Sequence, residues 1–284
     1  PGVHRPMKAK GALGLDALEL DEHGRFEVFV GGPPRDRNWI ELAPDTRRIL
    51  VRFTYADWAG EEAGELRIER VGRRGTIARP VEDAVVAARI DAAAAYLGDA
   101  LTGYLEVVEQ VYEGLEPNTL RPMRRLSGAA GGLANQYNAS GRYQLRDDQA
   151  LIVTTRPSGA RYQGFQIGTE WFEALDFVNQ TTSLNTKQAR VSSDGLYRFV
   201  ISLRDPGVAN WLDASGAPQG QILLRWQGAG VLGKEHEPGI ELVSMSELRR
   251  HFPADEPHFG PDARRAQIAE RQAAIERRYG LFRR

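Results

Sequence analysis

Cysteine is absent from this chain. That excludes disulfides, thiolate-bound zinc, iron–sulfur clusters and a thiol nucleophile together. An excess of one charge is missing too. Lys and Arg number 37 against 38 Asp and Glu, a net charge of −1, so no global field draws the chain to nucleic acid or to an anionic membrane. No apolar run approaches the roughly 20 residues that span a bilayer. The opening Pro1-Gly-Val-His-Arg-Pro-Met7 lacks the apolar core of a secretory signal. A cytoplasmic protein without nucleic-acid or membrane partners is the expectation. Histidines are few. The groupings Glu235-His236-Glu237 and His251, Asp255, Glu256, His258 have neither the His-x-x-x-His of a helix nor the His-x-His of a strand. No metal and no cofactor is expected.

What is present is a repeat. Residues 24–52 read Gly24-Arg-Phe26-Glu-Val28, a loop, Asn38-Trp39-Ile40, then Ile49-Leu50-Val51-Arg52. Residues 195–225 read Gly195-Leu-Tyr197-Arg-Phe199, a loop, Asn210-Trp211-Leu212, then Ile222-Leu223-Leu224-Arg225. The tails agree as well, Glu62, Gly64, Leu66 and Ile68 against Glu237, Gly239, Leu242 and Val243. A repeat of this length means two similar folding units. The first copy opens almost at once on Asp21-Glu-His-Gly24, whereas strand-like sequence precedes the second, so the first is expected to be a trimmed copy with its native N-terminus missing.

Period and punctuation divide the chain. Residues 1–79 read as an N-terminal β module, with strands around Phe26–Val30, Ile49–Tyr55 and Glu65–Val71. From Pro80 the period shifts towards 3.6, and residues 80–116 read as a helical pair broken near Gly98. Residues 118–142 look irregular around Ser127-Gly-Ala-Ala-Gly-Gly132. That loop lacks the Gly-Lys-[Ser/Thr] ending of a phosphate-binding loop and reads as a turn. Strands come next at Ala150–Thr155, Arg161–Ile167, Ser183–Val191, Leu196–Leu203 and Gly220–Trp226. Residues 117–250 thus read as a jelly-roll-like β-sandwich, and 251–284 as a helical tail starting at Pro261. The fold class is mainly β with a helical insert: two jelly-roll-like modules related by internal duplication, plus a C-terminal helix.

A specific resemblance lies in the second half. It is carried by Leu145-Arg-Asp-Asp-Gln-Ala-Leu-Ile-Val153, Tyr162-Gln-Gly-Phe-Gln-Ile-Gly168, Trp171, Asp176-Phe177, Thr182-Ser-Leu-Asn-Thr-Lys-Gln188 and Asp205-Pro-Gly-Val-Ala-Asn-Trp-Leu-Asp213, with Leu224-Arg-Trp226. Over residues 140–230 the chain resembles the bacterial family catalogued as domain of unknown function 1214. Gln163 stands where that pattern carries a tryptophan. The Arg-rich stretch from Pro261, with Gln267 and Arg271, is similar to the tail of such proteins. The resemblance implies a jelly-roll-like sandwich and names no activity.

Several side chains invite chemistry. Asn38-Trp39 and Asn210-Trp211 have the makings of a stacking platform, but their presence in both copies favours a structural corner. Arg52 and Arg225 are repeat marks too, each read as pairing with an acidic turn residue such as Asp205 or Asp213. The unduplicated segment 170–188 is the better candidate. Trp171 supplies a wall, and Ser183, Asn185 and Gln188, with Gln166, supply neutral hydrogen-bonding groups. Glu170 and Asp176 are the carboxylates with which acid–base work is conceivable if they converge. These residues suggest binding of, or action on, a small neutral or weakly anionic organic molecule in a cleft of the sandwich, and no motif specifies a reaction. The alternative is an assembly protein whose helical insert and Arg-rich C-terminal helix make a homo-oligomer.

Overall fold

The computed structural model describes residues 11–46, 48–62, 64–77, 80–112, 114–126, 136–214 and 216–280. They fall into two compact units: residues 11–53 belong to the smaller, residues 54–125 and 136–280 to the larger.

The smaller unit has little regular structure. A 3-10 turn at Leu15–Ala17 precedes β1 (Phe29–Val30) and β2 (Trp39–Ile40), which pair in parallel with Phe29 opposite Trp39. Gly31, at φ 76°, takes the left-handed turn that ends β1, a conformation cheap only for glycine. Two strands expected from the sequence do not form: neither 49–55 nor 65–71 joins a sheet. Their β-branched and aromatic content suits a strand, but a strand needs a neighbour to take its amides and carbonyls. No described strand lies beside either. Leu50 is 67% and Ile68 84% exposed.

In the larger unit the expected helical pair is one helix, α1 (Asp83–Tyr112). Gly98 does not break it. A glycine costs a helix about 1 kcal/mol against alanine, which the alanine-rich turns around it offset, and the Thr102 hydroxyl donates back to the Gly98 carbonyl at 3.0 Å.

The remaining strands are β3 (Thr119–Leu120), β4 (Arg124–Leu126), β5 (Gln136–Gln144), β6 (Gln149–Thr155), β7 (Tyr162–Gly168), β8 (Ser183–Asn185), β9 (Tyr197–Ser202), β10 (Trp211–Asp213), β11 (Gln219–Gln227) and β12 (Gly239–Ser244). A six-stranded sheet runs β3-β5-β11-β7-β8 with β4 beside β5, and a four-stranded sheet runs β10-β9-β6-β12. Among the described residues the chain is mainly β, with three sheets and two α-helices, one of them near the C-terminus. β5 lies in the stretch read as irregular. Its pattern is real, since Tyr137, Ala139 and Tyr143 are buried on one side, but Ala139, Ser140 and Gly141 are too small to announce it. Conversely, β8 stops at Asn185, because Gln188 and Ala189 both turn back to donate to the Asn185 carbonyl, at 3.0 and 2.8 Å. The glycine-rich loop at 127–132 lies outside the described residues.

The core fills the space between the two large sheets. Phe165 on β7 and Phe199 on β9 stack with ring centroids 3.6 Å apart. Around them lie Leu151, Ile167, Ile201, Ile222, Leu224 and Trp226. The four-stranded sheet is covered on its other face as well. There Ala150, Ile152 and Val200 pack with Val208, Leu248 and Phe252, which is why β6 and β9 are apolar at consecutive positions. α2 (Pro261–Tyr279) starts with proline in its first turn and ends at Gly280 in the left-handed conformation, the expected punctuation at both ends.

Phe165→Ala is expected to cost about 3–5 kcal/mol. Urea unfolding is expected to show a lower midpoint with an unchanged slope.

Candidate functional site

The Asn-Trp pairs spend their polar atoms on the main chain. Asn210 accepts from the Arg190 amide at 2.8 Å through Oδ1 and donates to the Arg190 carbonyl at 2.7 Å through Nδ2. The Trp211 indole donates to the Ser202 carbonyl at 3.2 Å. In the smaller unit Asn38 accepts from the Glu19 amide at 2.9 Å and donates to the Glu19 carbonyl at 2.8 Å, and Trp39 donates to the Gly31 carbonyl at 3.1 Å. The strands carrying them pair in parallel in both cases, β1 with β2 and β9 with β10. Both pairs are corners that fasten a loop, and neither offers a free amide to a ligand. Asp205, read as an arginine partner within the repeat, is held by Arg264 of α2, with Nε at 3.0 Å and Nη2 at 3.2 Å. Arg52 is exposed.

The 170–188 segment separates into turns and a strand. In the first turn Thr169 Oγ1 accepts from the amides of Trp171 and Glu173, and Phe172 adopts φ 59°. Trp171 is half-exposed; its carbonyl accepts from the Tyr104 hydroxyl of α1. Glu170 accepts from Gln219 Nε2 at 3.2 Å. Asp176 caps a turn, accepting from the amides of Val178 at 3.2 Å and Asn179 at 3.0 Å and from Asn179 Nδ2 at 2.8 Å. The Asn179 hydrogen bonds hold its carboxyl below the usual range. Asp176 is therefore ionised at neutral pH and unsuited to deliver a proton. The two carboxylates share no hydrogen-bonding partner.

Gln166, Ser183 and Asn185 do come together, on the outer face of the six-stranded sheet, while Trp171 and Gln188 stay in the neighbouring turns. Side chains alternate across a strand, so with Phe165 and Ile167 inward, Gln166 and Tyr162 point out; with Leu224 and Trp226 inward, Arg225 points out; with Leu184 inward, Ser183 and Asn185 point out. Register aligns them in rows. Arg225 stands opposite Gly164, and Gly164 opposite Asn185. One row on, Leu223 stands opposite Gln166, and Gln166 opposite Ser183. Gly164 is glycine because the Tyr162 ring lies over it: a Cβ there would come within 2.6 Å of the phenol oxygen. Asn185 is 1% exposed. Its Oδ1 accepts from the Lys187 amide at 2.8 Å, and the Asn185 amide donates to Gln188 Oε1 at 3.2 Å. Asn185 Nδ2 is buried without an acceptor.

α2 brings three arginines, Arg264, Arg271 and Arg278, at seven-residue spacing. That is one helix face, with about 10 Å between successive positions. Each rests on aromatic rings: Arg264 lies 5.0 Å from Trp211 and 4.6 Å from Phe259, Arg271 4.7 Å from Trp58, and Arg278 4.3 Å from Tyr55. Such contacts stabilise by about 0.5–2 kcal/mol. Arg271, 4% exposed, donates to the Ser183 carbonyl at 2.9 Å, to Ser183 Oγ at 2.6 Å and to the Phe177 carbonyl. Burial lowers its pKa to about 10, so it remains charged at neutral pH. Burial also pushes the Tyr162 phenol up, while Arg225, Arg271 and Arg278 pull it down. Tyr162, Trp58, Arg271 and Arg278 are not among the sequence candidates. The arginine heptad and the Tyr55-Ala-Asp-Trp58 spacing are legible, but nothing in the sequence joins them to β8.

Elsewhere, a concavity of about 300 Å³ sits at the turn lined by Arg67, Ile68, Glu69, Arg70, Arg73 and Arg74. Within the turn Glu69 lies 2.9 Å from Arg74 and 3.7 Å from Arg67. Among the described residues no group of three or more His, Asp or Glu side chains could hold a metal. Nor is any described helix long and apolar enough to cross a membrane.

The site thus belongs to a mainly-β chain with a polar sheet face beneath an arginine-bearing helix. No protein-family profile matches the chain, and no curated protein matches it. It is similar to the crystal structure of an uncharacterised protein from Burkholderia cenocepacia, with 26% identity and a TM-score of 0.72 over 84% of this chain. This chain spans 65% of that protein's length. A Vibrio parahaemolyticus protein aligns over 37% of this chain and 30% of its own, at 18% identity and a TM-score of 0.30.

Asn210→Ala removes both main-chain hydrogen bonds of a buried amide and is expected to cost about 1–3 kcal/mol. Thermal unfolding checks this.

Proposed function

We propose that this chain binds a small organic molecule on the outer face of the six-stranded sheet, in the space bounded by β7, β8, β11 and α2. The observation that carries the reading is Asn185, buried to 1% exposure with Nδ2 lacking an acceptor. Arg225 stands in its row, and Gln166 and Ser183 in the next row add hydrogen-bonding groups. A buried amide hydrogen without a partner costs about 1–3 kcal/mol, and native chains seldom carry that cost without a use for the group. Gln188 serves by holding the turn behind Asn185 and Trp171 by lining the adjacent loop, outside the polar rows. We also read the larger unit as a jelly-roll-like sandwich of the unknown-function 1214 type. The two Asn-Trp corners support a duplicated origin through their matched hydrogen bonds.

The test is Asn185→Leu, which keeps the volume and removes the amide. The lost bond from the Lys187 amide and the relieved Nδ2 offset each other, so the thermal midpoint is expected to move little. Native mass spectrometry of the protein purified from its own source is expected to find a bound small molecule in the wild type and none in the variant. Equal occupancy in both would sink the reading.

A second reading, assembly, draws on α1. Its residues Ile90, Tyr96, Leu97 and Leu101 are exposed apolar side chains on a helix of 30 residues, and a helix gets most of its stability from packing. α2 is the poorer candidate for assembly, because its Arg264, Arg271, Ala274 and Ile275 are buried and both arginines bond within the larger unit. If copies of the chain associate through α1, Leu97→Glu with Leu101→Glu is expected to turn an oligomer into a monomer in sedimentation velocity. A wild-type monomer at working concentration would dispose of this reading.

A further inference from the structure

Along the face of α2 the three arginines differ in one respect. Arg264 has a counter-ion, the Asp205 carboxylate at 3.0 Å, and a carbonyl acceptor at Val208. It is a complete structural staple. Arg271 has carbonyls, a hydroxyl and a ring, but no carboxylate among the described residues. Arg278 has two rings, and its Nη2 is buried with no acceptor among the described residues. Taking a guanidinium out of water without an anion is costly, and buried charges are as a rule paired. Here Arg271 is buried and Arg278 half-buried beside it, with Arg225 acting on the same phenol.

Two unmet groups of this face are of one kind. Arg278 Nη2 and Asn185 Nδ2 are donors without an acceptor, and the Tyr162 phenol, whose pKa burial raises, can donate as well. Among the described residues, no carboxylate is a cause of the pKa shifts of Tyr162 or Arg271. A neutral ligand would satisfy hydrogen bonds and leave the charge uncompensated. An anion with several acceptor oxygens answers both.

We propose that Arg225, Arg271, Arg278, Tyr162 and Asn185 form a binding site for the oxyanion of a small molecule, a carboxylate or phosphoryl group. The proposal rests on the small-molecule site at the sheet face and names the chemistry it selects. Arg271 is fastened to Ser183 and sets the position of the charge. Arg278, on the last turns of the same helix, supplies the open donor. Tyr55 and Trp58 hold the two guanidinium planes by stacking, so their remaining N–H groups are preorganised, which is what makes arginine suited to oxyanions.

The test uses the whole chain. Sodium benzoate, sodium phosphate, benzamide and sodium chloride are titrated at constant ionic strength, followed by thermal shift and calorimetry. Benzoate or phosphate is expected to raise the midpoint saturably by a few degrees, and benzamide and chloride to leave it unmoved. Arg278→Gln is expected to weaken oxyanion binding about ten- to a hundredfold, the loss of a charged hydrogen bond. Arg265→Gln, the same charge change on the same helix at an exposed position paired with Asp262, is expected to bind as the wild type does. Absence of a saturable oxyanion effect in the wild type overturns the proposal, as does equal weakening by Arg265→Gln, which would mark net charge as the cause. Benzamide binding as tightly as benzoate would leave the small-molecule reading standing and remove its oxyanion chemistry.

Discussion

The larger unit depends on the contact between β7 and β9, where Phe165 and Phe199 stack across the sandwich at 3.6 Å. This contact makes one face of the six-stranded sheet dry, and strand alternation then dictates what the other face carries. Once Phe165 and Ile167 are inward, Gln166 and Tyr162 must be outward. Once Leu184 is inward, Ser183 and Asn185 face the same way. The polar rows are the obverse of the core.

α2 covers polar ground by unusual means. It has little apolar surface to bury, so its arginines take that part, each with its stem and guanidinium plane on an aromatic ring. Arg264 joins the helix to the Asn210-Trp211 corner through Asp205, Val208 and the Trp211 ring. Arg271, two turns on, joins it to β8. The Asn210-Trp211 corner and the polar face are thus linked by one helix. The corner saturates its polar groups, whereas Asn185 Nδ2 and Arg278 Nη2 lack acceptors.

The Asn-Trp corners are legible in the sequence because the same residues recur at the same spacing, and their hydrogen bonds match in both units. The core strands of the second half are legible from their apolar content. β5 is not, since Ala139, Ser140 and Gly141 owe their strand to neighbours on both sides. Residues 49–55 and 65–71 have good local strand propensity, yet no strand forms there for want of a neighbour. The same non-local dependence hides half of the site. Ser183, Asn185 and Gln166 stand out as a polar cluster on one segment and its neighbouring strand. Arg271, Arg278, Tyr162 and Trp58 lie far from them in sequence, and only the packing of α2 brings them near. Glu170 and Asp176, near in sequence, are turned to different partners by local turns.

By itself the sequence determined the features that local pattern can carry. It set the mainly-β class, the absence of thiol chemistry, the repeated corner, the helix-breaking ends of α2 and the arginine heptad on one of its faces. Tertiary structure decided which strands find partners, which alternate face is dry, and which of three equivalent arginines receives a carboxylate. Those outcomes turn on contacts between residues distant in the chain. Propensity and spacing set what each segment can do, while burial decides which of its groups are paired and which are left to act.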